Sequence, residues 1–417
     1  MCAEMDQPAG NSRLVDLIRR GESPEFQLLR PKAGADPYAI YRALAATGRV
    51  VRSNLGYWLV TGHQECAALL GDERMGALSG FANRPDVVRG TYPTLERLHD
   101  SWFLFADPPR HDLVRRRVAE STARAIRTTI ANNLDPLASE MVRAIDWSRP
   151  VDIVTRLAQP YPTAVIGDIL GVPGRDLGRL RTLTVVMSES MEPFLGTARL
   201  DRAERAAREL CQYFEELGST RRRGRAGCLE ALVDGADMEA GVGLAHAVLL
   251  LTAGQETTVN LVSMGVLALL TQRPELPGPL SGRESVGRAV DELLRFTSPI
   301  QLVVRRVLDR VVVDGASFER GDLVWLLIAA ANRDPEVFAE PDCLDLGRHH
   351  NDHLAFAGGT HVCFGAALTR AEMSAVMRHL TPVLPALEAD QDSVLWQRKR
   401  TGRGLDRLVV RPRASSS

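Results

Sequence analysis

Cys363 is the residue whose surroundings in sequence are best suited to holding a metal. It stands in Phe356-Ala-Gly-Gly-Thr-His-Val-Cys-Phe-Gly365, behind the adjacent Gly358 and Gly359, and ahead of Ala366-Ala-Leu-Thr-Arg-Ala-Glu-Met373, which reads as the start of a helix. A thiolate at a helix N-terminus meets unpaired backbone N–H groups and the positive end of the helix dipole, which would keep the sulfur anionic and temper its donation to a metal. The competing reading is a small buried hydrophobe, the common fate of a free cysteine. The pattern Phe-x-x-Gly-x-x-x-Cys-x-Gly arises by chance in about one chain in a thousand of such composition. His361, just before the sulfur, makes chance a poorer explanation still.

Other residues could serve such a site. Asp107-Pro-Pro-Arg-His111 has the form of a helix start, with a capping aspartate and prolines where no N–H is needed, and a periodic run continues to about Ile126. His111 and Arg115 share one face of that helix and could donate to a single anion; an ordinary solvated basic face is the alternative. Arg116 and Arg117 diverge from Arg115 by about 100° per position, so one of them faces outward on a surface suited to an acidic partner. The run Arg221-Arg-Arg-Gly-Arg225 reads as a solvated loop.

Gly241 to Gln272 is free of proline and dense in Leu, Val and Ala, which predicts one buried helix of about 45 Å. Its middle, Ala253-Gly-Gln-Glu-Thr-Thr258, sets a glycine beside an amide, an acid and two hydroxyls. That island is either an internally satisfied polar network or a place for moving protons, since a hydroxyl beside a carboxylate can deliver them.

These stretches together resemble the cytochrome P-450 family, the haem-thiolate monooxygenases. The resemblance runs from about Asp36 to Val410 through ordered motifs and implies a mainly α fold with a smaller β-rich region. A single domain would occupy 1–417, with flexible tails at about 1–12 and 413–417. The cofactor implied is haem b, with Cys363 as axial iron ligand and Phe356, Gly359 and His361 in the binding loop. By the same match, His111 and Arg115 contact the haem propionates. Counting back from the Asp314-Gly315 turn selects Arg305 as a further propionate contact, with Arg306 as the alternative. Ala253 and Gly254 would make room for dioxygen, Thr257 would hydrogen-bond to the oxygen held at the iron, and Glu256 would relay protons. Gln255 stands where bacterial members often have His. Glu292 and Arg295 match a structural Glu-x-x-Arg pair tied to a downstream loop, and Ala331-Asn-Arg-Asp-Pro335 is a further family-like stretch. Met187, Met191 and Phe194 are lid contacts or core residues, and Gln301 to Val304 would line the substrate pocket.

The elements that must position these residues are mostly helical. Asp36-Pro37 opens a helix through Leu44, Val50-Val51 and Tyr57 to Val60 form a strand pair, and a short helix covers Gln64 to Leu70. Ala77 to Asp100 reads as a long loop with one helical turn, of the kind that is usually functional. Helices joined by short breaks fill Ala138 to Val233, one break falling at Glu192-Pro-Phe-Leu-Gly196. Ser298-Pro299 ends a helix before the extended Ile300 to Val304. A last helix runs to about Leu384, followed by short strands.

The whole sequence supports this picture and excludes several others. Its 417 residues contain no linker, repeat or low-complexity tract, and the formal charge of -1 predicts no general affinity for nucleic acid or acidic membranes. Lys32 and Lys399 are the only lysines in an arginine-rich chain. Cys2, Cys66, Cys211, Cys228, Cys343 and Cys363 lack disulfide or metal-ligand spacing, which fits a reducing cytoplasm. The N-terminus has no signal-peptide pattern, and no apolar run could span a bilayer.

The activity implied is insertion of one atom of dioxygen into a small hydrophobic organic substrate, hydroxylation first and epoxidation second. Electrons would come from NAD(P)H through a ferredoxin and its reductase, and the substrate class implied is a polyketide or other secondary metabolite. A peroxide-using or oxidative-coupling haem enzyme and a non-catalytic haem sensor stand as alternatives; the intact Glu256-Thr257 pair speaks against peroxide dependence.

Overall fold

A helix that is apolar all round is stable only when other elements surround it, and the run expected to behave so does. The computed structural model describes residues 28, 36–78, 87–192, 196–220, 227–233, 239, 241–272 and 282–413. In chain order its longer helices are α1 (Pro37–Ala45), α2 (His63–Gly71), α3 (Pro93–Ser101), α4 (Arg110–Asn132), α5 (Leu134–Arg143), α6 (Pro160–Leu170), α7 (Leu177–Glu189), α8 (Thr197–Thr220), α9 (Val242–Gln272), α10 (Arg283–Thr297) and α11 (Ala366–Leu380). Helix α9 is the unbroken run, buried on all sides by α6, α7, α8, α10 and α11. The main apolar core wraps around it, with Leu251, Leu261 and Val262 wholly buried.

A smaller β region stands to one side. Strands β1 (Val50–Arg52), β2 (Trp58–Val60), β3 (Met75–Ala77), β4 (Val303–Val307) and β5 (Leu323–Leu326) form one sheet in the order β1-β2-β5-β4-β3. The β2–β5 pair is parallel and the others antiparallel, with Leu59 and Val304 both opposite Trp325 and Arg305 opposite Ala77. Near the C-terminus, β6 (Leu395–Trp396) and β7 (Leu405–Arg407) form a hairpin. Both layers and their proportions are those expected of the family resemblance.

Two expectations are corrected. The presumed loop between Ala77 and Asp100 contains the full helix α3, because Leu95 and Leu98 supply an apolar face and the Glu96 carboxylate accepts the N–H groups of Gly90 (2.8 Å) and Tyr92 (3.3 Å) at its start. Asp107 does not cap the following helix with its side chain. Its carboxylate accepts the Ala77 N–H at 2.7 Å, tying the start of α4 to β3, while its backbone carbonyl accepts the His111 N–H. Helix α4 also runs past Ile126 to Asn132.

Phe194, the break at 193–195, Arg221–Arg225, the segment 79–86 and the tail residues 1–12 and 414–417 lie outside the described residues. Arg413 donates its N–H to Ala386 O at 2.9 Å. Cys66, Cys211, Cys228, Cys343 and Cys363 are free thiols. Among the described residues no helix is long and apolar enough to cross a membrane.

Glu292 and Arg295, one turn apart on α10, are both wholly buried and bridged at 2.7 Å. The guanidinium also donates to the carbonyls of Asn332 and Pro341 at 2.8 Å and Cys343 at 3.1 Å, and Glu292 accepts from the Asp345 N–H, Arg348 and Asn351. A buried pair satisfied in this way is costly to break, because the surviving charge is left uncompensated. Arg295→Met should therefore lose about 3 kcal/mol of stability in urea unfolding. Arg149→Ala, at the exposed pair with Asp146, should change it by less than about 0.5 kcal/mol. Equal effects would contradict a special role for the buried pair.

Candidate active site

The cysteine loop holds its shape through close backbone approach. Gly359 has φ +63°, and a Cβ there would stand 2.2 Å from the Leu70 carbonyl oxygen at the end of α2, so only glycine fits. Ala357 also adopts a left-handed conformation, φ +56°, a strain that packed surroundings must maintain. The Cys363 N–H donates to Phe356 O at 2.9 Å, closing the loop, and α11 begins directly after Gly365. The Phe356 ring packs under the Arg370 guanidinium at 4.6 Å.

Cys363 is exposed and lines a large cavity. Burial pushes the thiol up, while hydrogen bonds from the Gly365 and Ala366 N–H groups and the charges of Arg115 and Arg370 pull it back down. This corrects the expectation that the helix terminus by itself keeps the sulfur anionic: burial outweighs it. A bound metal ion deprotonates a coordinating thiol outright.

Beside the sulfur lies a cluster of histidine and arginine side chains. His111 and His361 meet edge to face with ring centroids 4.5 Å apart. His111 is 1 % exposed; its Nδ1 contacts Asp112 at 2.8 Å, and its Nε2 is buried without a hydrogen-bond partner. Arg115 is half-buried, stacks over Phe103 and Phe364, and donates to Val362 O at 2.7 Å. Burial lowers His361 to about 3, assisted by the charges of Arg305, His111 and Arg115. Burial also lowers Arg305 to about 10. On β4, Arg305 shares its face with the cavity-lining Val303, whereas Arg306 points the other way, toward Asp107 at 4.0 Å. The strand geometry therefore favours Arg305.

The cavity has a volume of about 320 Å³ and is mostly apolar. Of the polar island of α9, Ala253, Gly254 and Thr257 line the same cavity as Cys363. The helix is not interrupted there. Gly254 is needed for packing, since a Cβ would come within 3.2 Å of Ile166 on α6, and the Thr257 hydroxyl donates back to Ala253 O at 3.1 Å. Gln255 is turned away, its amide bonded to Thr163 on α6 and Thr184 on α7. Glu256 forms an ion pair with Lys399. Gln301 does not line the cavity: its amide accepts from Tyr41 and donates to Ser298 O. Met187 is wholly buried in the core, and Met191 packs against the core's edge.

Two polar residues of this site were not anticipated. Glu372 on α11 lines the cavity floor at 1 % exposure, accepting from Thr258 at 3.3 Å with its other oxygen unpartnered. A carboxylate one turn after Leu368 and next to Met373 on an apolar face was the available signal. Lys399 had one too: it is a lysine in a chain that otherwise uses arginine.

An apolar slot with a lone sulfur on one face, a small-residue wall on the other, and His111, Arg115, His361 and Arg305 converging at its side fits a flat iron-bearing macrocycle with acidic substituents. The buried, unpartnered Nε2 of His111 is the most telling feature, because such an atom is costly without an acceptor. No cluster of three or more His, Cys, Asp or Glu side chains that could hold a bare ion occurs among the described residues.

Comparison with known proteins agrees. The sequence profile of the Cytochrome P450 family matches residues 285–381. The cytochrome P450 monooxygenase PikC of Streptomyces venezuelae is 33% identical over 400 residues, 90% of this chain and 91% of that protein. The polyketide biosynthesis cytochrome P450 PksS of Bacillus subtilis (strain 168) is 29% identical over 363 residues, 85% of this chain and 88% of that protein. Among solved structures, P450BioI in complex with an acyl carrier protein bearing hexadec-9Z-enoic acid superposes with TM-score 0.82 at 28% identity, covering 91% of this chain and 99% of that one.

Burial raises Glu372 from the ordinary 4.5 to about 8, partly offset by the Thr258 hydroxyl. The folded chain thus holds this proton more tightly than the unfolded one. The resulting stabilisation is full below about pH 4.5 and is lost as pH rises through about 8. Thermal melts from pH 5 to 8.5 should show the parent losing stability relative to Glu372→Gln as pH rises; a constant difference between the two would contradict the assignment.

Proposed function

The chain belongs to the cytochrome P450 family and is a monooxygenase, and on that premise we propose that Cys363 is the axial ligand of a haem b lying in the cavity. His111, Arg115, Arg305 and His361 would hold its propionates, with Phe356 and Gly359 shaping the loop beneath. When bound, the haem iron supplies the activation of dioxygen, and its thiolate ligand favours O–O cleavage. The observation that carries this reading is that Cys363 lines one apolar cavity together with Ala253, Gly254 and Thr257.

The chain's own residues supply the rest. Each turnover joins one oxygen atom to the substrate and releases the other as water, consuming two electrons and two protons. Ala253 and Gly254 leave the space above the iron open, and the apolar walls exclude bulk water. Thr257 presents a hydroxyl to that space, and Glu256, one residue earlier, faces the supply of protons, so the pair passes protons inward one at a time. Leu249, Leu294, Pro299 and Val303 hold an apolar substrate by burial alone.

The substrate we infer is a small hydrophobic polyketide or other secondary metabolite, hydroxylated at carbon. Support comes from the apolar lining and from relatives such as PksS, whose name records polyketide biosynthesis. Electrons would come from NAD(P)H through a ferredoxin reductase and a ferredoxin, the latter docking against the exposed Arg116 on α4 behind the cysteine loop. We place the protein in the cytoplasm as one catalytic unit spanning 1–417, which the free thiols support.

Thr257→Ala should bind haem and substrate within about twofold of the parent while product per electron falls about tenfold and hydrogen peroxide accounts for the difference. This is less than the ~10²–10⁴ range for a positioned proton donor, because water can partly replace the hydroxyl. Product and peroxide yields in a ferredoxin-driven assay measure it; full coupling in the variant would refute the role.

A further inference from the structure

Glu256 is largely buried. Its side chain is 19% exposed and is paired with the Lys399 ammonium, itself 14% exposed, at the turn between β6 and β7. Lys399 also donates to Ser188 Oγ on α7 at 3.1 Å. The hairpin carrying it is fastened at both sides: Arg400 and Thr401 donate their N–H groups to the buried Glu192 carboxylate at 2.8 and 3.2 Å, and Thr401 O accepts the Gln301 N–H at 2.8 Å. On strand β7, Asp406 is exposed and lies within electrostatic reach of both members of the pair.

Charge alone does not require a lysine here. This chain meets carboxylates with arginine almost everywhere, and arginine would bridge Glu256 at least as well. The two differ in one property: an ammonium can give up a proton, and a guanidinium in a protein cannot.

We propose that Lys399 is a positioning and relay residue for the proton route, holding Glu256 at the cavity edge and replenishing its proton from the surface at Asp406. The inference rests on the reading of Glu256 and Thr257 given above. The proton balance is simple. Starting from the ion pair, the Lys399 ammonium gives a proton to the Glu256 carboxylate, Glu256 passes it toward Thr257 and is again a carboxylate, and the neutral amine regains a proton from solvent at Asp406. Among the described residues, Glu256 meets Lys399 in an ion pair and Asp406 through electrostatic interaction, with Ser188 as the neutral partner of the ammonium; Glu192 is occupied by the hairpin backbone.

The test compares the holoenzyme with Lys399→Arg, Lys399→Met, Glu256→Gln and Asp406→Asn, using a substrate identified by its haem spin-state shift. Product and peroxide per NAD(P)H are measured from pH 6 to 9 in light and heavy water, alongside substrate Kd and the urea midpoint. Lys399→Arg should keep the Kd within twofold and the midpoint unchanged, yet lose about tenfold in product per electron, with a larger solvent isotope effect. Lys399→Met should lose at least as much. Asp406→Asn should lose less and recover as pH falls; an unaltered profile would remove Asp406 from the route. Parent-like coupling in Lys399→Arg, while Glu256→Gln is uncoupled, would overturn the relay and leave the acid–hydroxyl reading standing. Parent-like coupling in Glu256→Gln would overturn both. A loss in Lys399→Arg that tracks a weakened Kd would show a purely structural role and also overturn the relay.

Discussion

The buried charge of Arg295 is the constraint on which the site depends. A guanidinium with no exposure must find partners for its N–H groups within the protein, and this one finds Glu292 together with the carbonyls of Asn332, Pro341 and Cys343. Those partners lie along the irregular segment that leads to the cysteine loop. Asn332 then passes the order on, donating to Ser298 Oγ at 2.9 Å and accepting the Leu354 N–H at 2.7 Å, two residues before Phe356. An irregular segment has no ladder of its own to fix it, so the ion pair does for this stretch what a helix does elsewhere.

From that anchor the two faces of the cavity acquire opposite characters. The sulfur side combines backbone N–H groups with the guanidiniums of Arg115 and Arg305, both lowered by burial, and with the rings of His111 and His361, and so suits anionic ligands. The α9 side is small, apolar and interrupted only by groups that can hand on a proton. A haem iron held at Cys363 would draw electron density from the thiolate, while Thr257 and Glu256 would supply protons, a division of labour that follows from where burial and hydrogen bonding place each charge.

Much of this was legible in the sequence. The central helix followed from an unbroken apolar run, and Cys363, Thr257, His111 and Arg115 were singled out by motifs whose resemblance to the family implied a common site. What was not legible depended on tertiary contact. The carboxylate of Asp107 looked like a cap because its spacing to the helix was right, yet it bonds to Ala77 on a strand that only the fold brings near. Helix α3 was hidden because its start is secured by Glu96 reaching back to Gly90, and by packing that a short, weakly periodic segment does not announce. Gln301 sat in a stretch expected to line the pocket, but Tyr41, far away in sequence, claims its amide. Lys399 could be paired with Glu256 only once the C-terminal hairpin was seen to fold over α9.

The central claim is that Cys363 carries the iron as a thiolate. Its most direct test is the absorption spectrum of the dithionite-reduced protein under carbon monoxide, for the parent and for Cys363→His reconstituted with haem. The account predicts the strongly red-shifted band of a thiolate-ligated haem in the parent and its absence in the variant. A band unchanged by the substitution would mean that another residue holds the iron.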